Sequence, residues 1–348
     1  MFSILKPLLF KMDPEIAHDL AIKSLKLNYL PESIFKVEDE EILKINLLNK
    51  TFSNPIGLAA GFDKSAEVYN SIYKLGFSFV EVGTVTPLGQ YGNPKPRIFR
   101  LEKDEALINR LGFNNDGAEK VRERILKNKK KGILGVNIGP NKQTDSQEND
   151  FINCFKKLYD LADYITINIS SPNTEKLRDF HEDKKLISLL KLINQEKNKS
   201  NLKIPIFLKV SPDVNDHSIE KISEIILENN ISGVILTNTT NVSRENLLDH
   251  KKIEEGGLSG KPLENISNKI IKKFYKNLQN KAIIIGVGGV DSGKSAYKKI
   301  TSGASLVQLY TGMIFKGPQI IKKIKKDLII SLKQEGVKNI KEIIGQEN

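Results

Sequence analysis

The residues Asn168-Ile169-Ser170-Ser171-Pro172-Asn173-Thr174 place two amides and three hydroxyls within seven positions, with a proline stiffening the turn. They follow Asp163-Tyr164-Ile165-Thr166-Ile167, which reads as a buried strand. A structural loop needs one or two such groups, and five at a strand end suit a planar, polar ligand. A Ser/Asn turn capping the next helix is the competing reading, and the heptad alone does not separate the two. Lys209, inside the apolar run Phe207-Leu208-Lys209-Val210, is the second marked residue. Buried lysine needs an anionic partner, which is either an interior acid or a ligand that becomes anionic during turnover. No acid flanks Lys209 in sequence, which favours the ligand.

Glycine marks two later strand ends, Gly286-Val287-Gly288-Gly289 and Tyr310-Thr311-Gly312, and Gly256-Gly257-Leu258-Ser259-Gly260 adds a flexible loop. Backbone N–H groups at such ends, with a helix N-terminus behind them, hold phosphate. Other strand ends are small or polar: Ala59-Ala60-Gly61-Phe62-Asp63-Lys64, Gly83-Thr84-Val85-Thr86, Asn137, and Thr237-Asn238-Thr239-Thr240. Together these pieces suit a flat, phosphorylated, redox-active cofactor with a second planar molecule against it. Flavin mononucleotide (FMN) meets that description.

The elements that must position these groups follow from periodicity. The chain has 348 residues, enough for one large barrel or two ordinary domains. After residue 42, short apolar runs alternate with amphipathic helices. The runs are Ile56–Ala60, Phe79–Val82, Ile133–Ile138, Tyr164–Ile169, Ile206–Val210, Gly233–Leu236, Ala282–Gly286 and Leu306–Leu309. Eight such units match an α/β fold of the closed (β/α)8 TIM-barrel type. An open doubly wound sheet is weaker, because no G-x-G-x-x-G turn follows the first strand. The stretch from Leu88 to Arg110 lacks periodicity and contains Gly89, Gly92, Pro94 and Pro96, so an irregular excursion over a barrel end is expected.

Ahead of the barrel, residues 1–30 read as two short amphipathic helices. Ile4, Leu5, Leu8 and Leu9 form one apolar face, and Ile16, Ala17, Leu20, Ala21 and Leu25 the other. Asp13-Pro14-Glu15 is a helix start, with a capping carboxylate and proline at the first position, and Leu30-Pro31 ends the segment. The pair either caps the core or lies on a membrane surface and admits a lipid-soluble molecule. From Pro318 the tail reads as a last barrel helix, with Ile320, Ile321, Ile324, Leu328 and Leu332 inward and lysines outward. Residues 1–42 are thus a small N-terminal helical extension, and 43–348 the barrel.

Composition excludes several classes. The net charge of +12 arises mainly from lysine and is accounted for by solvated helix faces, with anionic lipid a second use. Arginine–aromatic interleaving is absent, so no nucleic-acid partner is expected. The single cysteine, Cys154, falls in a helical stretch and reads as a core thiol. His18, His181, His217 and His250 show no ligand spacing, so no metal site is expected. No apolar run approaches the ~18 residues a membrane span needs.

The motifs resemble the dihydroorotate dehydrogenase family, in its quinone-dependent, membrane-associated class 2. The resemblance runs through Asp13–His18, Asn54–Lys64, Pro96–Arg100, Ile108–Asn114 and Asn168–Asn173, and covers essentially the whole chain. It implies oxidation of dihydroorotate to orotate in pyrimidine synthesis. A base takes the C5 proton while hydride passes from C6 to one FMN per chain, and a membrane quinone then takes the electrons. It also implies a peripheral protein on the cytoplasmic side of the cell membrane, with a monomer expected.

By the same resemblance Ser171 is the catalytic base, where cytosolic class 1 enzymes place cysteine, and Thr174 and Phe113 flank its proton relay. A serine hydroxyl is a poor base in water, so geometry must carry much of the task. The resemblance assigns substrate recognition to Lys64, Asn109, Arg110, Leu111, Gly112, Phe113, Asn168, Asn173, Asn238 and Thr239. Lysine answers the orotate carboxylate, and asparagine answers donor and acceptor edges alike. FMN contacts fall on Ala60, Gly61, Phe62, Asp63, Lys64, Thr84, Asn137 and Asn168. They continue through Lys209, Thr237, Gly260, Gly289, Tyr310 and Thr311. His18 and Arg100 resemble the polar groups of the quinone tunnel. Two rivals stand beside this reading. A flavin barrel acting on RNA uridine needs a nucleic-acid-binding extension and a general acid, often cysteine. A flavin-free sugar-phosphate enzyme or phosphate-binding module leaves the asparagines unused.

Overall fold

The computed structural model describes residues 2–29, 32–37, 40–199, 203–242 and 244–348. Eight parallel strands close into a barrel in sequence order. They are β1 (Ile56–Leu58), β2 (Phe79–Val85), β3 (Ile133–Ile138) and β4 (Tyr164–Asn168), followed by β5 (Ile206–Val210), β6 (Gly233–Leu236), β7 (Ile283–Val287) and β8 (Leu306–Leu309). Each expected run becomes a strand, four with the expected ends and four with ends shifted by one to three residues. Valine and isoleucine dominate because the strands are buried on both faces, against side chains within and helices without. Glycine admits large neighbours: a Cβ on Gly135 would lie 2.1 Å from the Tyr164 ring, so the bare backbone there makes room for that ring.

The stretch read as an irregular excursion is ordered. Ile98–Leu101 and Ala106–Asn109 form an antiparallel hairpin, and Gly257–Gly260 adds the third strand, pairing Gly257 with Asn109 and Gly260 with Ala106. A second small core of Phe99, Leu101, Ala106, Ile108, Leu247 and Leu258 holds it. The third strand lies about 150 positions away in sequence, so no local periodicity announces this sheet.

Two helices precede the barrel, α1 (Phe2–Lys11) and α2 (Pro14–Lys26). Asp13 caps α2, its Oδ1 accepting from Glu15 N at 2.9 Å and Ile16 N at 3.1 Å. The Glu15 side chain reaches from the first turn of α2 to meet Arg97 bidentately, at 2.6 and 3.1 Å. Burial alone would raise the Glu15 carboxyl, but the hydrogen bonds and charge of Arg97, with Lys95, hold it below its ordinary value. Arg100 donates to the carbonyls of Leu9 and Met12 at the end of α1, where the helix dipole favours a cation. The expected break at Leu30-Pro31 lies outside the described residues.

The C-terminal helix Ile320–Gln334 buries Ile320, Ile321, Ile324, Leu328 and Leu332 as read. Lys325 departs from the outward pattern: it is buried and pairs with Glu40. Cys154 is a fully buried core thiol.

Candidate active site

Two adjoining cavities open at the C-terminal ends of the strands, of about 660 and 830 Å³. Ala60, Lys209, Asn238, Thr239, Ser259 and Tyr310 line both, so they form one mouth.

The smaller cavity ends among glycines. Gly289 has φ +77°, and a Cβ there would lie 2.5 Å from Glu264 Cα, at the start of helix Glu264–Leu278. Gly260 has φ +101°, and a Cβ there would lie 2.5 Å from the Glu105 carbonyl. Only glycine combines those angles with that approach. The Glu264 helix has no side-chain cap at its N-terminus. Thr311 is held by Ser259, Oγ to Oγ1 at 2.9 Å. Beside this end, Thr237 Oγ1 is buried without a hydrogen-bond partner. The Lys209 ammonium, on a residue 6 % exposed, has no hydrogen bond or ion pair among the described residues. An orphaned hydroxyl, an unpaired buried cation and a glycine cradle together fit a planar, phosphorylated group.

The larger cavity is lined by amides. Asn168 Nδ2 donates to Thr84 Oγ1 at 2.9 Å, and Asn238 Nδ2 donates to Asn168 Oδ1 at 3.2 Å and Ser170 Oγ at 2.9 Å. Across the mouth, Asn173 Nδ2 donates to the Asn109 carbonyl at 3.1 Å, tying the heptad loop to the antiparallel sheet. Ser171 is buried, lines this cavity, and its Oγ accepts from Asn173 N at 3.3 Å. Phe113, with φ +54°, and Lys64 line the same wall. Burial pulls the Lys64 ammonium down to about 8, against the raising charges of Glu15 and Asp19. Arg178 braces the loops from outside, donating to Ser170 O at 3.3 Å, Thr239 O at 3.2 Å and Asp213 Oδ2 at 2.9 Å.

Below the mouth, the absence of a nearby acid inferred for Lys209 is corrected. Glu81, on β2, is fully buried inside the barrel and its charge reaches Lys209. Burial lowers the Lys209 ammonium, and Glu81 opposes that shift. Glu81 is not within ion-pair distance of Lys209, so the ammonium stays free toward the cavity.

A third chamber, of about 1,120 Å³, lies between the N-terminal helices and the barrel and is mostly apolar. Phe10, Ala17, Leu25, Ile98 and Met313 contribute apolar wall. His18, Arg100 and Ser24 are polar points on it, and Tyr310 lines this chamber as well as the mouth. The Arg100 guanidinium is engaged by the end of α1, so it holds the wall in place. Burial drops His18 to about 3, helped by the Lys64 charge, so it is neutral at ordinary pH.

Ala60, Gly61, Leu111, Gly112 and Thr239 also line the mouth. Four expected residues stand apart from it. Arg110 faces outward and pairs with Glu254 at 3.0 Å. Asp63 directs its carboxylate to the N–H groups of Glu67 and Val68, and its carbonyl to Gly83. Asn137 lies behind the surface, bonded to Thr84 and Glu81. Phe62 faces the apolar chamber, edge-on to His18. Sequence reading missed Glu81, Gln308 and Ser259. The first two carry the signal that marked Lys209, a polar residue inside an apolar strand.

The family model described as dihydroorotate dehydrogenase matches residues 42–332. Dihydroorotate dehydrogenase (quinone) of Idiomarina loihiensis is 44 % identical over 335 residues, covering 94 % of this chain and 100 % of the relative. The protein of the same name from Bartonella tribocorum is 46 % identical, over 96 % of this chain and 93 % of the relative. Among solved structures, the dihydroorotate dehydrogenase of Eimeria tenella in complex with ferulenol superposes with TM-score 0.91 at 40 % identity, covering 96 % of each chain. The ligand-free form of that protein superposes with the same TM-score.

Proposed function

The chain belongs to the quinone-dependent dihydroorotate dehydrogenase family, and from that premise we propose how its residues share the work. The enzyme oxidises dihydroorotate to orotate in pyrimidine biosynthesis, with FMN as cofactor and a quinone as acceptor. One observation carries the assignment of roles: a polar mouth ending in a glycine cradle and an apolar chamber share a wall at Tyr310.

Bound FMN supplies the acceptor for substrate hydride and the donor for quinone. Gly289, Gly260 and the start of helix Glu264–Leu278 would hold its phosphate, and Thr237, Thr84 and Ala60 would border its ring. Lys209 presents fixed positive charge where negative charge develops. Lys64 meets the substrate carboxylate, and Asn109, Asn168, Asn173 and Asn238 meet the ring edge. Ser171 Oγ takes the C5 proton and gives up its own hydroxyl proton to solvent water, through the relay that Thr174 and Phe113 flank. The Asn173 N–H steadies that oxygen as its proton leaves.

Residues 1–42 form the quinone entry. Ile4, Leu5, Leu8, Ile16 and Leu20 on α1 and α2 are exposed, with lysines among them, which supports peripheral contact with an anionic membrane surface on the cytoplasmic side. No helix among the described residues is long and apolar enough to cross a membrane. A monomer satisfies this arrangement, since one chain supplies every group named.

Anaerobic mixing with dihydroorotate tests the reading. The yellow absorbance should bleach and then return on adding quinone. A protein that purifies colourless and cannot be reconstituted with FMN, or one that quinone does not reoxidise, would refute it.

A further inference from the structure

Glu81 is fully buried and accepts three hydrogen bonds at the centre of the barrel. Asn137 Nδ2 donates to its Oε1 at 2.8 Å, while Tyr164 Oη at 3.1 Å and Gln308 Nε2 at 3.0 Å donate to its Oε2. Gln308 makes this bond although its own Oε1 is left buried without a partner. An acceptor strong enough to orient that amide at such a cost is a carboxylate.

The bonds continue outward in one direction. Thr84 Oγ1 donates to Asn137 Oδ1 at 2.6 Å, and Asn168 Nδ2 donates to Thr84 Oγ1 at 2.9 Å. Asn168 Oδ1 then receives Asn238 Nδ2, Ser170 N at 3.3 Å and Ser170 Oγ at 3.2 Å. A carboxylate only accepts, an amide has one end of each kind, and a hydroxyl has one proton. The first link therefore dictates every later one. With the carboxylate at its root, Asn137 has no choice of face, then Thr84 has none, then Asn168 has none.

We propose that Glu81 is a positioning residue which, through Asn137 and Thr84, sets which ends of Asn168 and Asn238 face the bound pyrimidine. This deepens the functional reading above and rests on it. A neutral amide at position 81 keeps shape and volume but offers a donor or an acceptor with equal ease. The reversed chain becomes available, and at its far end the Asn168 amide nitrogen meets the donors of Asn238 and Ser170. The two arrangements then compete, and the mouth loses one defined polarity.

The test is Glu81→Gln, purified with FMN and titrated with orotate by the change in flavin absorbance. Affinity should fall about tenfold or more, the size expected for one buried hydrogen bond turned the wrong way. Glu81→Gln combined with Asn137→Asp moves the carboxylate one link along. The relocated carboxylate accepts from Thr84 and from the amide introduced at position 81, so the outer polarity returns and orotate affinity should recover most of the loss. A purely structural role for Glu81 predicts no such recovery. Orotate binding within about twofold of the parent in Glu81→Gln overturns the proposal, as does a loss that the second substitution leaves unrepaired. If Glu81→Gln fails to retain FMN, Thr84→Val cuts the chain beyond Asn137 and should show the same weakening; unchanged affinity there overturns it equally. Bleaching of the parent by dihydroorotate tests the underlying reading separately, so the two failures are distinguishable.

Discussion

Lys64 Nζ lies 3.4 Å from His18 Nε2, joining a residue of the amide-lined cavity to one of the apolar chamber. An ammonium can only donate, so Nε2 is the acceptor and His18 is held neutral. Burial is the larger cause of its depressed value of about 3, and the Lys64 charge adds to it. Between pH 6.5 and about 3 the unfolded chain binds a proton at this site that the folded chain does not. Stability contributed here is therefore complete above pH 6.5 and drains away as pH falls through that window. His18→Gln should lose less melting temperature than the parent between pH 6.5 and 4. Equal slopes in thermal scans would show that His18 is not held neutral.

Ser171 is the only hydroxyl assigned to proton removal, so Ser171→Ala should slow flavin reduction by dihydroorotate ~10²–10⁴-fold with the cofactor still bound. Anaerobic stopped-flow absorbance reads this directly. Turnover near that of the parent would remove Ser171 from its role.

Among the described residues Lys209 has no partner within ion-pair distance, and it faces the cavity. Lys209→Met should slow reduction about 10²–10³-fold or release FMN, since the charge opposite the ring is gone. Cofactor stoichiometry and the single-turnover rate separate these outcomes, and neither changing would refute the charge argument.

Gly289→Ala combines a left-handed backbone with a Cβ 2.5 Å from Glu264 Cα. Strain of about 1–3 kcal/mol is expected, together with loss of FMN on gel filtration. Full retention of cofactor with an unaltered melting temperature would place the phosphate elsewhere.

Leu8 is 64 % exposed on α1, with Ile4 at 80 % on the same helix. Leu8→Glu should weaken sedimentation with anionic vesicles about tenfold, the loss of one inserted side chain. Dihydroorotate-driven bleaching should be unchanged, because α1 does not line the amide-lined cavity. Undiminished vesicle binding would exclude this face as the contact.

The barrel was legible because doubly buried strands and amphipathic helices write their periods locally. Lys209 was legible for the same reason, as a charge interrupting an apolar run. Glu81 interrupts Phe79–Val82 in the same way, yet its meaning lies in Asn137, Tyr164 and Gln308, brought together only by barrel closure. Resemblance assigned Arg100 to the quinone tunnel. Its bonds to Leu9 and Met12 depend on where α1 docks, which no pattern around residue 100 records. Arg110 and Asp63 lie within well-marked motifs, and spacing does not say which way a side chain turns.

The two chambers meet at Tyr310, but amides line one and mostly apolar side chains the other. A blocking compound made for the greasy one need bear no likeness to a pyrimidine. Because α1 and α2 furnish half of its wall, what such a compound grips is set largely by residues outside the reaction centre.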